Sequence, residues 1–189
     1  MTKAQLRNIY KQKRLSIHSK EKLKLDDLML IQFQKLSVSD SEVLLSYWPA
    51  LKFAEPNTHL FTGYLRHMIP SLLICYPVID VVQGDMNAVA VDESTIYKAN
   101  AFGIYEPAEG KVVDPSLIDL VFVPMLACDI NGHRVGFGIG YYDKYLALCR
   151  TDVCKIAFSY FEPVHAIGDA NSFDVPLNYC ITPACIYEF

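Results

Sequence analysis

The sequence predicts an α/β protein in which a mostly parallel, Rossmann-like sheet carries helices on both faces. Three observations support this fold class. The 189 residues match the size of one domain with a substantial core. Predicted strands alternate with predicted helices along the chain. Several of these strands are continuously apolar, which is typical of strands covered on both faces. With no internal repeat and no linker, residues 1–189 are expected to form a single domain.

The predicted helices show side chains recurring at helical spacing. In the first helix, Lys3, Arg7 and Arg14 fall on one side. The third helix follows Pro56 and the N-cap candidate Asn57. The apolar side of the second helix is expected to contain Leu25, Leu28, Met29, Ile31 and Leu36. The four predicted helices span residues 2–15, 19–36, 57–69 and 141–149.

The predicted strands are short apolar runs bounded by turn residues. They cover residues 42–48, 72–79, 86–91, 117–124 and 153–160, with a last short strand near 179–182. Residues 92–116 contain Pro107, Gly110 and Pro115 and show few clear elements. This segment is expected to be a long ordered loop across the surface, and long loops are often functional.

Charge and composition exclude several classes of protein. A net charge of −4 argues against a general nucleic-acid binder. No apolar run is long enough to cross a bilayer, and the N-terminus lacks the apolar stretch of a secretory signal, so a cytoplasmic location is expected. The cysteines and histidines show no metal-ligand spacing.

Positive charge is concentrated near the N-terminus, where Glu21 is the only acid among the first 24 residues. Such a segment is either a solvated helix face or an attractive surface for an anionic ligand. The basic residues are Lys3, Arg7, Lys11, Lys13, Arg14, Lys20, Lys22 and Lys24.

The stretch RVGFGIGYYDKYL, residues 134–146, places Gly136, Gly138 and Gly140 between an apolar strand and a helix. A glycine-rich turn that enters a helix exposes backbone N–H groups, which bind phosphate. A dinucleotide fingerprint would need glycine where Tyr141 stands, and no Gly-Lys-Ser/Thr sequence of a Walker A loop follows. The alternative is a tight turn without a ligand.

Charged residues flank this turn. Arg134 precedes it and can hold phosphate through its planar fork. Asp143 falls in the first turn of the following helix, where it either binds hydrated Mg²⁺ or stabilises the helix dipole.

The run DLVFVPMLACDINGHRVGFGIGYYDKYL, residues 119–146, resembles the signature of the 5-formyltetrahydrofolate cyclo-ligase family. Other segments resemble family motifs in the same order, so the resemblance spans nearly the whole chain. They are KAQLR (3–7), EPNT (55–58), FGIYEP (102–107) and FDVPLNYCIT (173–182).

The resemblance implies a cytoplasmic ligase of one-carbon metabolism, expected to be a monomer. It would use ATP and Mg²⁺ to convert 5-formyltetrahydrofolate into 5,10-methenyltetrahydrofolate. It implies that Glu55 binds the pterin, that Tyr141 also contacts the folate, and that Asp143 and Asp174 bind magnesium. Arg134 and Tyr142 would be catalytic. The implied ATP-binding residues are Lys3, Arg7, Arg134, Gly136, Phe137, Gly138, Ile139, Gly140, Tyr141 and Tyr142.

The chain departs from the family pattern at several positions, and these departures leave other functions open. The departures are Met125, Cys128, Phe161, Phe173 and Asn178. Those near the C-terminus favour an alternative, a folate- or nucleotide-binding regulator with little turnover. A sugar-phosphate enzyme on a similar sheet and a nucleic-acid-binding protein rank below it, since a fold alone does not determine function.

Overall fold

The computed structural model describes residues 1–189, and one large sheet runs through it. The helices are α1 (Lys3–Leu15), α2 (Ser19–Phe33), α3 (Thr58–Met68) and α4 (Tyr141–Leu146). The strands are β1 (Val43–Leu45), β2 (Leu73–Asp80), β3 (Asp85–Val91), β4 (Tyr97–Ala99), β5 (Tyr105–Pro107), β6 (Val112–Val113), β7 (Leu120–Phe122), β8 (Ala127–Cys128), β9 (Arg134–Val135), β10 (Cys154–Phe158), β11 (Tyr179–Ile181) and β12 (Ile186–Glu188). No helix is both long and apolar enough to cross a membrane.

The main sheet has eight strands in the order β12-β11-β10-β7-β1-β2-β3-β6. The five central strands, from β11 to β2, pair in parallel. The outer strands β12, β3 and β6 pair antiparallel to their neighbours. The predicted α/β class with a mostly parallel sheet is therefore confirmed.

Helices cover both faces of the sheet, as the apolar strands predicted. Because successive side chains of a strand point to opposite faces, Leu44 and Phe122 pack in one core layer and Leu45 and Val121 in the other. Residues of α2 and α3 complete the first layer, and residues of α4 complete the second.

Helix α1 packs against the hairpin β8–β9, which follows the carboxyl end of β7. Its buried Leu6 and Tyr10 join a separate apolar cluster with Leu126 and Val135. Thr2 begins the helix with a capping box, in which the Thr2 hydroxyl accepts from the Gln5 N–H. The hairpin leads directly into the glycine-rich segment, so α1 lies beside that segment.

Several predicted elements are shorter in the structure because sheet pairing, not the apolar run, sets their ends. The predicted strand 42–48 is paired only over Val43–Leu45, and 117–124 only over Leu120–Phe122. The prediction of a long loop over 92–116 was wrong, since β4 and β5 form a hairpin there and β6 joins the main sheet. The short strands β8, β9 and β12 were missed.

The predicted apolar side of α2 was partly wrong. Ile31 is exposed, whereas Asp26 is buried on the same helix. The Asp26 carboxylate is buried because it accepts hydrogen bonds from Lys22 Nζ, Asn57 N and the Tyr160 hydroxyl. Asn57 stands at the N-cap of α3, but its side chain makes no capping hydrogen bond.

We expect Phe33→Ala to lower the free energy of unfolding by about 3–5 kcal/mol. The Phe33 ring is fully buried and meets the edges or faces of Phe61, Phe122 and Phe158 at centroid distances of 5.8, 5.7 and 5.6 Å. Urea unfolding measures the change. Phe173→Ala, at a side chain that is 85 % exposed, is the matched control and should be nearly neutral. Equal losses in both variants would contradict this description of the core.

Candidate active site

A cavity of about 430 Å³ lies at the carboxyl ends of the central strands. Tyr47 and Trp48, which follow β1, line it, and so does Pro124, which follows β7. Open α/β sheets bind their ligands at this end. All the residues that the sequence singled out as candidates line the cavity, namely Lys3, Arg7, Glu55, Arg134, residues 136–142, Asp143 and Asp174.

The glycine-rich segment forms a bare strip of backbone in the cavity wall. Gly138 and Gly140 have φ values of 100° and 86°, in the left-handed region that favours glycine. A Cβ at Gly138 would lie 3.2 Å from the Arg7 guanidinium, whereas a Cβ at Gly136 would meet nothing within 4 Å. The segment is therefore shaped both by its own conformation and by the close approach of Arg7.

Helix α4 begins at this segment with Gly140 as its N-cap and ends at Leu146, three residues earlier than the sequence predicted. Such a short helix contributes little dipole. An anion at this place would therefore be held mainly by loop N–H groups and by neighbouring cations.

Two of these cations come from α1. Lys3 Nζ lies 2.6 Å from the Asp174 carboxylate, and Arg7 Nε donates to the Gly136 carbonyl at 2.9 Å. They are four residues apart and so reach the cavity from the same side of the helix. The predicted grouping of basic side chains on one side of α1 is confirmed.

Arg134 and Asp143 form a hydrogen-bonded ion pair below the segment. Arg134 Nη2 lies 2.8 Å from Asp143 Oδ1, and Nη1 donates to the Val175 carbonyl. The Val175 N–H donates to the same Asp143 oxygen at 3.1 Å. Burial lowers the pKa of Arg134 and the Asp143 charge opposes that change, but a guanidinium stays protonated in proteins. The pair ties β9 to α4 and to the loop that carries Asp174.

Glu55 presents a buried carboxylate to the cavity. Its Oε2 accepts from the Ala50 N–H at 2.7 Å, while Oε1 accepts no hydrogen bond from the protein. Arg14 Nη2 lies 3.9 Å from Oε1. Burial raises the pKa of Glu55, and the Ala50 N–H and the Arg14 charge act against that rise. Glu55 Oε1 is thus free to accept from a ligand.

Tyr142 lines the same cavity, and its hydroxyl is unpaired. The hydroxyl oxygen is buried and has no hydrogen-bond partner. Burial raises the pKa of Tyr142 far above its ordinary value, with the Glu55 charge as a further cause. The group therefore stays protonated and can donate a hydrogen bond to a bound molecule.

The sequence did not reveal the apolar wall opposite the charged groups. Ile79 and Met86 are direct partners across β2 and β3, although they are seven residues apart along the chain. Phe102 and Ile104 come from the loop of the β4–β5 hairpin, within the motif 102–107. The Phe53 ring packs on Phe137 of the glycine-rich segment at 4.8 Å. These side chains meet only through tertiary contacts, so the sequence did not predict the wall that they form, although it singled out the motif 102–107 and Phe137.

No group of three or more His, Cys, Asp or Glu side chains is arranged to hold a metal ion. Asp143 and Asp174 line the same cavity, but each already faces a cation. The unusual Phe173 beside Asp174 is exposed, and the Asn178 side chain accepts from the Lys155 N–H. Neither departure removes Asp174 from the cavity.

Comparisons with known proteins identify the same family over almost the whole chain. The model of the 5-formyltetrahydrofolate cyclo-ligase family matches residues 1–183. A 5-formyltetrahydrofolate cyclo-ligase of Mycoplasma pneumoniae is 26 % identical over 185 residues, covering 96 % of this chain and 98 % of that one. The enzyme of that name from Mycoplasma genitalium is 38 % identical over 69 residues, and this match covers 36 % of this chain and only 42 % of the relative.

Solved structures give the same fold. The solution structure of Aquifex aeolicus 5,10-methenyltetrahydrofolate synthetase superimposes with a TM-score of 0.82 at 24 % identity, covering all of this chain and 93 % of that one. A Mycoplasma pneumoniae 5,10-methenyltetrahydrofolate synthetase superimposes with a TM-score of 0.76 at 23 % identity, covering 97 % and 99 %.

The Lys3–Asp174 pair predicts a specific acid dependence of stability. Burial alone would raise the pKa of Asp174, but hydrogen bonds from Lys3 and the Asn171 N–H and the charges of Lys3 and Arg134 hold it below the ordinary 3.8. The pair therefore stabilises the fold above that pH, and the stabilisation is lost as pH falls through the lowered pKa.

We expect Asp174→Asn to be less stable than the wild type at pH 7, and the difference should shrink as pH falls from about 5 towards 2. Urea unfolding at a series of pH values measures it. Asp27→Asn, at an exposed carboxyl of α2, is the control and should run parallel to the wild type. A difference for Asp174→Asn that stays constant with pH would contradict the ion pair.

Proposed function

Since the chain belongs to the 5-formyltetrahydrofolate cyclo-ligase family, it is a ligase, and we propose that it converts 5-formyltetrahydrofolate and ATP into 5,10-methenyltetrahydrofolate, ADP and phosphate. One observation carries the proposal. A single cavity joins a bare glycine-rich segment and several cations to a buried carboxylate with a free oxygen. The glycine-rich segment and the cations suit a polyphosphate. The buried carboxylate suits a ring edge that bears N–H donors.

ATP binds on the side of α1 and the glycine-rich segment. Lys3 and Arg7 neutralise phosphate charge from the helix, and the backbone of Gly136, Gly138 and Gly140 approaches the phosphate oxygens without side-chain hindrance. Arg134 uses two of its N–H groups on Asp143 and Val175, so it contacts phosphate with the remaining donors. Phe137, Ile139 and Tyr141 complete this wall.

The folate binds on the side of Glu55. Glu55 Oε1 accepts from the amino-pyrimidine edge of the pterin, because an ionised carboxylate accepts paired N–H donors strongly. The wall of Ile79, Met86 and Phe102 packs against the apolar parts of the substrate, and Tyr141 lies between the two ligands. The formyl group then points at the γ-phosphate.

The reaction needs no protein nucleophile. The formyl oxygen attacks the γ-phosphorus and ADP leaves. The neighbouring folate nitrogen attacks the formyl carbon and loses its proton, and the formyl oxygen departs with the phosphate. Catalysis is mainly alignment of two bound molecules and neutralisation of phosphate charge. Tyr142 donates its hydrogen bond to the oxygen on which negative charge develops, and Arg134 neutralises the charge beside it.

The residues fit Mg²⁺ together with nucleotide, since Mg²⁺ commonly binds one or two carboxylates plus substrate phosphates. Bound Mg²⁺ would neutralise phosphate charge. Asp143 and Asp174 would hold it, because phosphates that pair with Lys3 and Arg134 leave these two carboxylates free for a cation.

We also propose that residues 1–189 act as one domain, as a monomer in the cytoplasm and without nucleic acid.

We expect the purified protein to form the methenyl product, seen by its near-ultraviolet absorbance, when 5-formyltetrahydrofolate, ATP and Mg²⁺ are all present. Omission of ATP should abolish the signal, and excess chelator should abolish or strongly reduce it. Equal turnover in chelator would exclude the magnesium roles of Asp143 and Asp174. Tight binding of both ligands without any product would instead indicate a folate- and nucleotide-binding regulator.

Tyr142→Phe should lower kcat by about 10²–10³-fold, the usual effect of losing one donor to a developing charge. The unliganded variant should be as stable as the wild type, since the lost hydroxyl has no partner. Tyr145→Phe is the matched control: its hydroxyl is also buried and unpaired, but Tyr145 does not line the cavity. Steady-state kinetics and thermal unfolding of both variants measure these effects. Equal kcat values for the two variants would exclude a catalytic Tyr142.

A further inference from the structure

Arg14 is a third cation on the cavity side of α1, but it lies behind the cavity wall. The residue is only 3 % exposed, and it is not among the residues that line the cavity. Arg14 Nε donates to the Phe53 carbonyl at 2.7 Å, and Nη1 donates to the Met125 carbonyl at 2.9 Å. Nη2 has no hydrogen-bond partner, and its nearest acidic group is Glu55 at 3.9 Å.

These contacts join three separate parts of the site. Phe53 belongs to the turn that presents Glu55, and Met125 lies between β7 and the β8–β9 hairpin. The Arg14 guanidinium also lies over the ring of Phe137, 5.8 Å from its centroid. One side chain therefore connects the folate side of the cavity with the glycine-rich segment.

The ionised form of Glu55 is favoured by the Ala50 N–H and by nearby positive charge. A buried carboxyl favours its neutral form, in which it can no longer accept two N–H donors. The groups that face it are the Ala50 N–H, the cations Arg14 and Lys22, and the hydroxyls of Tyr47 and Tyr142.

Of the two cations, Lys22 is paired with Asp26 at 2.7 Å. Arg14 has no carboxylate other than Glu55 within ion-pair distance. Arg14 is thus the main source of uncompensated positive charge at Glu55.

We propose that Arg14 is a positioning residue of this ligase, which keeps Glu55 ionised and in place for the folate and aligns it with the glycine-rich segment. The inference rests on the proposed function, because it takes Glu55 as the acceptor for the folate ring. It adds a residue that contacts neither ligand and acts through Glu55.

The test measures the Kd of 5-formyltetrahydrofolate by calorimetry between pH 6 and 9 for the wild type, Arg14→Met, Glu55→Gln and the double variant. Without the Arg14 charge the pKa of Glu55 rises, so Arg14→Met should bind folate weakly at neutral pH and regain affinity as pH increases. The midpoint of that dependence should lie about 1–3 pH units above that of the wild type. The Kd of ATP should change much less.

The double variant separates this role from a purely structural one. With Gln at position 55 no carboxyl titrates, so adding Arg14→Met should produce no pH-dependent loss and the two substitutions should be strongly non-additive. Lys13→Met, which removes an exposed charge from the position of α1 just before Arg14, is the matched control and should bind folate like the wild type.

Arg14→Lys provides a second test if Arg14→Met does not fold. It retains the charge and shortens the reach to Phe53 and Met125, so it should weaken folate binding with a pH midpoint close to that of the wild type. That weakening should be smaller in the Glu55→Gln background.

A folate Kd that rises equally at all pH values, and equally with Glu or Gln at position 55, would overturn the proposal. A wild-type chain that binds folate but forms no methenyl product would overturn the proposed function and leave this test intact. A chain that binds no folate would overturn both.

Discussion

The site depends on the docking of α1 against the carboxyl end of the sheet. Leu6 and Tyr10 bury the apolar side of the helix, and this contact alone would allow some rotation. The polar contacts of Lys3, Arg7 and Arg14 reach Asp174, Gly136, Phe53 and Met125, which are 39 to 171 residues away in sequence. They fix the rotation of α1. Without that docking the cavity would lose the Lys3 and Arg7 side of its wall and the support behind Glu55.

Charge in the site is balanced before any ligand binds. Asp174 faces Lys3, and Asp143 faces Arg134. A buried or half-buried ion left unpaired would be costly, so this pairing allows the two cations to be held in the folded protein before any ligand binds. A triphosphate that takes over the cations would free two carboxylates at the same moment. Nucleotide and magnesium would then bind as a unit, and the magnesium would offset part of the phosphate charge.

The sequence predicted those parts of the site that are local. The apolar strand, the three glycines and Asp143 are close together along the chain, and their order predicted the bare loop and the start of α4. The single basic side of α1 followed from helical spacing. The roles of these residues in binding and catalysis stay predictions.

The apolar wall and the support of Glu55 by Arg14 were beyond reach from sequence. They exist only because β3 pairs with β2 and because α1 meets two distant carbonyls. The ends of the short strands β8, β9 and β12 likewise depend on their partners. Ile31 shows the same limit, since an apolar residue at helical spacing is exposed while Asp26 is buried through three hydrogen bonds.

The proposed reaction requires the cavity to align the formyl oxygen with the γ-phosphate. The most direct test uses 5-formyltetrahydrofolate whose formyl oxygen is a heavy isotope, with mass spectrometry of the phosphate released during turnover with unlabelled ATP. The account predicts that each phosphate carries one heavy oxygen. Unlabelled phosphate, formed together with the methenyl product, would contradict it.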